Sequence, residues 1–179
     1  MSSMLNTTAA LQHKTVLPAS ASPETLIRLL QKHTFFIECD PHMVSYDKVP
    51  MSSPAPVIPS ERKVAALAGR EPECYKVTDR VHALPAGLWD KDVESIYEFV
   101  DIEEGTFVRI RSPLGVTMET VWEVHEGDRG HELVEDVVIK CSRLLIGTVR
   151  GTCEAGWEGI HAKMVAHLQD TPEGGTESA

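Results

Sequence analysis

Two acidic residues, Asp79 and Glu135, share the register of hydrophobic residues in strand-like segments. The hydrophobic residues in these two registers are Tyr75, Val77 and Val81, and Leu133, Val137 and Ile139. Because the side chains of a strand alternate between its two faces, both carboxylates are predicted to point to the hydrophobic side. A carboxylate in an apolar cavity has a raised pKa and can act as a general acid or base. Asp79 and Glu135 are therefore candidate catalytic residues.

A structural role is the alternative for both carboxylates, because ion pairs within a fold also perturb such groups. Asp79 could lie near a strand end and pair with Arg80, Arg109 or Arg111, or a bulge could turn it outward.

Neutral polar side chains form a second candidate set. Ser95, Tyr97 and Thr120 share the inward register, and Thr148 and Thr152 lie one helical turn apart. A few polar groups in a mostly apolar pocket orient a hydrophobic ligand, and Tyr97 could also donate a hydrogen bond during catalysis. The local alternative is that each threonine bonds the carbonyl one turn back and that Tyr97 fills the core.

The remaining candidates are apolar residues that would line such a pocket. The full set of predicted ligand-binding residues is Phe36, Val77, Ser95, Phe99, Val108, Met118, Thr120, Trp122, Val137, Thr148, Gly151 and Thr152. Aromatic side chains such as Trp122 and Trp157, with Trp89 in a turn, could clamp a flat ligand. Simple core filling is the alternative for each of them.

No metal or cofactor is expected. The residues His33, Glu38, Cys39, Asp40 and His42 are of types that bind zinc, but their spacing fits no known ligand pattern. The sequence also lacks G-x-S-x-G, P-loop, G-x-G-x-x-G and H-E-x-x-H motifs. A cofactor-dependent enzyme of those classes is therefore not indicated.

Charge and hydropathy exclude several partners. The 179 residues carry a formal net charge of −10, so a phosphate backbone or an anionic lipid surface would be repelled. No apolar run approaches the roughly 18 residues of a membrane span. The first residues lack the features of a secretory signal, and the four cysteines are widely spaced. We expect a cytoplasmic protein with free thiols, a monomer or homodimer, that binds neither nucleic acid nor membrane as an integral protein.

The elements that would position these residues follow from periodicity. Ser22 followed by Pro23 is typical of a helix start, and hydrophobic residues from Leu26 to Ile37 continue an apolar face. Strands are predicted over residues 10–17 and 42–49. Between Glu73 and Ser142, five alternating segments separated by turn residues indicate an antiparallel meander with one covered face and one exposed face. A helical period returns over residues 143–168.

The predicted organisation is one domain. Residues 1–9 are expected to be a flexible leader, residues 10–169 the domain, and residues 170–179 a disordered tail. Residues 50–73 are rich in proline and form a long insertion. Such loops are often lids or binding loops, although a tolerated surface insertion is the simpler interpretation. The last helix contains Gly147, Gly151, Gly156 and Gly159, which indicate either close packing or space for a ligand.

Three segments carry a resemblance to a known family. They are residues 75–88 (YKVTDRVHALPAGL), 133–150 (LVEDVVIKCSRLLIGTVR) and 161–168 (HAKMVAHL). They resemble a family of uncharacterised filamentous-fungal proteins with the helix-grip fold of the START-like, or pollen-allergen-like (SRPBCC), superfamily. The resemblance implies an α+β fold in which a curved antiparallel sheet grips a long C-terminal helix around a hydrophobic cavity.

Function is implied only broadly by this resemblance, because relatives carry lipids, bind hormones, or cyclise and aromatise polyketides. One prediction is a cofactor-free cyclase, isomerase or pericyclase, such as a Diels–Alderase, acting on a hydrophobic polyketide or terpenoid intermediate of a fungal natural-product pathway. The other is a non-catalytic carrier of a lipid, sterol or hydrophobic metabolite. In both cases the expected partner is a hydrophobic small molecule.

Overall fold

The computed structural model describes residues 6–82 and 90–170, in which one antiparallel sheet packs against three helices. The strands are β1 (Asn6–Val16), β2 (Met43–Val49), β3 (Glu73–His82), β4 (Asp90–Ile102), β5 (Gly105–Ser112), β6 (Val116–Gly127) and β7 (Gly130–Ser142). The helices are α1 (Pro23–Leu30), α2 (His33–Glu38) and α3 (Ile146–Asp170). The strand order is β1-β7-β6-β5-β4-β3-β2. The predicted α+β class and the five-strand meander are confirmed.

The N-terminal strand is longer than predicted. β1 begins at Asn6, which pairs with Ser142 at the end of β7. Residues 6–9, assigned to the leader from the sequence, are therefore part of the sheet. Their small and polar side chains give no strand pattern, and pairing with β7 decides their conformation. Residues 1–5 and the predicted tail from residue 171 onward lie outside the described residues.

The first helical segment starts as the sequence predicts. Ser22 Oγ accepts a hydrogen bond from the Thr25 amide at 3.2 Å, and Pro23 occupies the first helical turn. The apolar face nevertheless does not belong to one continuous helix, because α1 ends at Leu30 and α2 begins at His33. Both helices bury their hydrophobic side chains against the inner face of the sheet, which is the face that α3 covers.

The closing helix α3 has two different halves. Its C-terminal half packs firmly, with His161, Met164 and Leu168 buried. Its N-terminal half exposes Gly147, Thr148, Gly151 and Thr152 even though the helix crosses the sheet there. The predicted boundaries, residues 143–168, are confirmed to within three residues at each end.

The proline-rich insertion packs against the outer face of the sheet, opposite α3. Ile58 and Val64 cover a small hydrophobic cluster formed by Val100, Ile102, Phe107 and Val121. Arg62 donates hydrogen bonds to the carbonyl oxygens of Glu119 and Asp136, at 3.2 and 2.6 Å. The prediction of an exposed outer face is wrong here, because the outward positions are hydrophobic and require a cover.

Candidate functional site

A cavity of about 610 Å³ lies between the inner face of the sheet, the end of α2 and the N-terminal half of α3. Most predicted site residues line it: Phe36, Asp79, Ser95, Tyr97, Met118, Thr120, Trp122, Glu135, Val137, Thr148, Gly151 and Thr152. Its walls are mainly hydrophobic, and Trp157 and Ile160 of α3 contribute to them. The cavity volume lies within the range of small-molecule sites.

Three predicted ligand-binding residues, Val77, Phe99 and Val108, do not lie on this cavity. They point to the inner face, as their register requires, but they are almost fully buried in the core. Phe99, for example, packs edge-on against Phe36, with ring centroids 5.4 Å apart. Because α1 and α2 fill that end of the inner face, these positions belong to the core and do not line the cavity.

Asp79 and Tyr97 form a hydrogen-bonded pair at the cavity wall. β3 and β4 place them on neighbouring strands, and the Tyr97 hydroxyl donates to Asp79 Oδ2 at 3.2 Å. The other carboxylate oxygen, Oδ1, is buried and has no hydrogen-bond partner in the described part of the chain. The pair therefore contains one buried acceptor that no described residue satisfies, on a residue that lines the cavity.

The pKa of Asp79 is displaced toward neutrality. Burial raises it from its ordinary value of 3.8 to about 6, and the negative charge of Asp40 acts in the same direction. The hydrogen bond from Tyr97 and the nearby His42 oppose this shift. Burial, followed by the charges of Asp79 and Asp40, raises the pKa of Tyr97 well above its ordinary value. At pH 7 the pair therefore consists of a charged carboxylate and a neutral phenol.

The arginines proposed as structural partners of Asp79 are engaged with other residues. Arg80 pairs with Asp92 at 2.9 Å. Arg109 and Arg111 both pair with Glu98 on the outer face. The ion pairs that the structure shows for these three arginines therefore do not include Asp79.

Glu135 is also on the cavity wall, but it is held by residues behind it. His13 Nδ1 lies 2.8 Å from Glu135 Oε2 in a buried contact, and His161 Nε2 lies 3.8 Å from the same oxygen. The His13 ring stacks on Trp157, with centroids 4.8 Å apart. Glu135 thus joins β1, β7 and α3, and this favours a structural role alongside its contact with the cavity.

The neutral polar groups are largely satisfied by local partners. Thr152 Oγ1 donates to the Thr148 carbonyl at 3.1 Å, which is the local alternative considered from the sequence. Trp122 Nε1 donates to Thr120 Oγ1 at 3.1 Å. These hydroxyls can still accept or share a hydrogen bond with a ligand, because an oxygen carries two lone pairs.

The glycines of α3 mark open space. A Cβ atom at Gly147, Gly151, Gly156 or Gly159 would meet no neighbouring atom of the described residues within 4 Å. Close packing is therefore not the reason for these glycines. The first three border the cavity, and this agrees with the second explanation from the sequence, namely space for a ligand.

Several lining residues were missed by the sequence analysis. Asp40, Pro41 and His42 reach the cavity from the turn between α2 and β2. Ser112 hydrogen-bonds Ser95 at 2.8 Å across the β4–β5 pair. Continuing the inward register of β5 beyond Ile110 could have identified Ser112, whereas the turn residues carry no periodic signal.

The residues considered for zinc are separated by the structure. His33 is buried, and its Nδ1 and Nε2 atoms contact Glu73 at 2.8 Å and Asp101 at 2.9 Å. Burial alone would raise the pKa of Glu73, but hydrogen bonds from Lys48, Tyr75 and His33 lower it to about 2. Among the described residues, no group of three or more His, Cys, Asp or Glu side chains is arranged to hold a metal ion.

The cysteines are free in the described structure. Cys39, Cys74 and Cys141 are buried, and Cys153 is partly buried on the cavity wall. Burial, together with the charge of Glu135, raises the pKa of Cys153 to about 12. This thiol is therefore protonated at neutral pH and is a poor nucleophile. Within residues 6–82 and 90–170, no helix is long and apolar enough to span a membrane.

Comparison with known proteins supplies the family. Residues 6–170 match the family described as "Domain of unknown function (DUF7053)". The chain belongs to this family. A search of the curated proteins finds no match.

Solved structures establish the fold. Ara h 8.0201 is similar over 92% of this chain and 100% of its own, with 13% identity and a TM-score of 0.57. TTHA0849 from Thermus thermophilus is similar over 90% of this chain and 97% of its own, with 16% identity and a TM-score of 0.58. The di-domain ARO/CYC StfQ from the steffimycin biosynthetic pathway is similar over 91% of this chain and 51% of its own, with 9% identity and a TM-score of 0.60. The DUF7053 chain thus has the Bet v1-like helix-grip fold.

Proposed function

We propose that this DUF7053 protein is a cofactor-free cyclase or isomerase, or a pericyclase of the Diels–Alderase kind. Its substrate would be a hydrophobic polyketide or terpenoid intermediate of a fungal natural-product pathway, bound in the cavity. The observation that carries the proposal is Asp79, whose Oδ1 has no partner among the described residues at the cavity wall while Tyr97 holds Oδ2. A carrier for apolar ligands does not need such a group.

Asp79 has the properties of a general base. Its pKa of about 6 leaves it ionised at pH 7 yet close enough to neutrality to accept a proton. It would take a proton from the bound substrate or stabilise positive charge that develops on it. General acid–base groups of this kind contribute about 10²–10⁴-fold to a rate.

The shape of the cavity would supply the larger part of the acceleration. Ile110, Met118 and Trp122 form an apolar floor against which a flexible chain can fold. Holding two reacting groups in the correct geometry is worth up to about 7–11 kcal/mol. Tyr97 would act as a positioning residue, since its hydroxyl donates to Asp79 and fixes the carboxylate.

The similarity to StfQ and to a second di-domain ARO/CYC, BexL from the BE-7585A biosynthetic pathway, is consistent with a cyclase. At 9% and 12% identity, the similarity extends to the fold, and the choice of reaction rests on Asp79.

A carrier of lipids, sterols or other hydrophobic metabolites is the second candidate. One observation favours it: Glu135, the other carboxylate on the wall, is held by His13 and so resembles a structural group. A carrier would need the volume of the cavity but no free base.

Substituting Asp79 distinguishes the two functions. Mass spectrometry of ligands that co-purify with the wild-type protein and with Asp79→Asn would identify the bound compound in each case. If the protein is an enzyme, the wild type converts the compound retained by Asp79→Asn, and the variant is slower by about 10²-fold or more.

The matched control is Asp136→Asn on the outer face, which changes the net charge equally and should convert the compound at the wild-type rate. If both variants and the wild type retain the same compound unchanged, the protein is a carrier and the enzymatic proposal is wrong.

A further inference from the structure

The unpaired oxygen of Asp79 also constrains what the cavity binds. A buried carboxylate oxygen normally accepts one or more hydrogen bonds, because leaving it bare costs about 1–3 kcal/mol or more. Asp79 Oδ1 has no partner among the described residues. Its carboxylate is charged at pH 7, so the missing partner is a hydrogen-bond donor that can also neutralise a negative charge.

The described residues show no cation paired with Asp79. The guanidinium of its neighbour Arg80 lies against Asp92 at 2.9 and 3.3 Å. The second carboxylate near Asp79 is Asp40, which adds negative charge at the same side of the cavity. His42 also lines the cavity, and its influence on Asp79 is smaller than that of Asp40.

The rest of the cavity suits a cation with an apolar body. Four aromatic residues line it, Phe36, Tyr97, Trp122 and Trp157. Aromatic rings attract cations through their quadrupole, by about 0.5–2 kcal/mol according to solvation. Glu135 adds another carboxylate to the opposite part of the wall, on β7. The wall carries three carboxylates, from Asp40, Asp79 and Glu135, whereas its guanidinium, from Arg80, is engaged with Asp92.

We infer that the cavity selects an apolar molecule that carries a protonated nitrogen, either an ammonium or an iminium group. The N–H would donate to Asp79 Oδ1, and the apolar body would lie against Trp122 and Met118. This inference rests on the proposed function and narrows its substrate to a hydrophobic intermediate into which a basic nitrogen has been introduced.

Three probes of matched size test the inference: 2-naphthylmethylamine (cationic), 2-naphthylmethanol (neutral) and 2-naphthoate (anionic). Isothermal titration calorimetry at pH 7.5 gives the affinity of each for the wild-type protein, Asp79→Asn and Asp136→Asn. We expect the amine to bind the wild type at least 10-fold more tightly than the alcohol, and the carboxylate to bind most weakly. In Asp79→Asn the amine and the alcohol should bind equally, whereas Asp136→Asn should keep the preference.

Each of the other outcomes contradicts either the inference or the proposed function. Equal affinity of the wild type for the amine and the alcohol overturns the inference but leaves an apolar ligand site in place. A preference for the amine that persists in Asp79→Asn also overturns it, because the charge would then be recognised elsewhere. Failure of all three probes to bind contradicts the proposed function itself, since an aromatic-lined cavity of this size should accept at least the neutral probe.

Discussion

The two faces of the sheet differ in the partners that they give to a carboxylate. On the outer face, Glu98 is fully buried and accepts hydrogen bonds from both Arg109 and Arg111. Burial alone would raise the pKa of Glu98, but the hydrogen bonds from these arginines and Ser52 lower it. On the inner face, one strand away, Asp79 has a phenol on one oxygen and, among the described residues, no partner on the other.

This difference separates a group that stabilises the fold from one that, under the proposed function, is prepared for a ligand. The charge of Glu98 is neutralised by the protein itself, and the insertion closes over it with Ser52 and Pro54 near the two arginines. The charge of Asp79 is paired with no described side chain, at the expense of stability. Strongly perturbed groups next to a cavity are typical of functional sites for this reason.

Substituting Glu98 should produce the largest loss of stability. Glu98→Gln leaves two guanidinium groups without their carboxylate, and breaking a buried ion pair costs about 3–5 kcal/mol. Urea denaturation at pH 7.5 measures the loss. Glu119→Gln on the same face removes a pair with the exposed Lys140 and should cost less than about 1 kcal/mol. Equal losses for the two variants would contradict the comparison.

Substituting Asp79 should raise the stability of the fold rather than lower it. Because the pKa of Asp79 is raised to about 6 in the folded state, ionisation penalises folding as the pH rises from about 4 to 6. Above pH 6 the penalty is complete, so we expect Asp79→Asn to be more stable than the wild type by about 1–2 kcal/mol at pH 7.5.

Urea denaturation at pH 7.5 and pH 3 tests this sign. The gain should shrink as the pH falls from about 6 and disappear near pH 3, where the carboxyl is mostly protonated in both states. The groups that face Asp79 are Tyr97, Asp40 and His42, and the Asp40 charge adds to the penalty at neutral pH. A loss of stability at pH 7.5 would show that Asp79 supports the fold as Glu98 does.

Filling the cavity should affect binding with little effect on folding. Gly151→Leu places a side chain in open space beside the cavity and replaces a poor helix former, so stability should rise by up to about 1 kcal/mol. Binding of 2-naphthylmethanol, followed by calorimetry, should weaken at least 10-fold. Gly159 also has open space around it but does not border the cavity. Gly159→Leu should therefore bind the probe normally, and weakened binding there would contradict the placement of the cavity.

Loosening the proline-rich insertion, residues 50–73, from the outer face should have the smallest effect on stability and binding. Arg62→Ala removes the hydrogen bonds to the Glu119 and Asp136 carbonyls and should cost about 1 kcal/mol. Limited proteolysis should then cleave within residues 50–67 earlier than in the wild type or in Glu61→Ala, an exposed substitution in the same turn. Binding of the naphthyl probes should not change, because the insertion lies on the face opposite the cavity. Altered binding would mean that the two faces are coupled.

The registers of the inner face could be predicted from the sequence, because strand side chains alternate strictly. Asp79, Thr120 and Trp122 were placed on the correct face for this reason. The extent of the cavity could not be predicted, since Phe99 and Val108 share that face but are covered by α1 and α2. Which strand positions a helix covers depends on packing between distant segments, and local periodicity does not encode it.

Contacts between residues that are far apart in the sequence could not be predicted for the same reason. The structural role of Glu135 depends on His13, which is 122 residues away in the sequence. The insertion gave the signals of a surface loop, and only its contact with Phe107 and Val121 makes Ile58 and Val64 part of a core. That Asp79 Oδ1 has no partner among the described residues likewise depends on where distant side chains such as Arg109 and Arg111 lie.

The open space around the α3 glycines has a consequence for how this family can diverge. Gly147, Gly151 and Gly156 border the cavity, yet none of them supports a packed neighbour in the described part of the chain. A side chain gained at any of these positions would change the volume available to a ligand without requiring a compensating change in the sheet. Ligand size could therefore drift by single substitutions along one helix while the chemistry at Asp79 stays the same. Members of the family that handle smaller molecules should carry bulkier residues at these three positions.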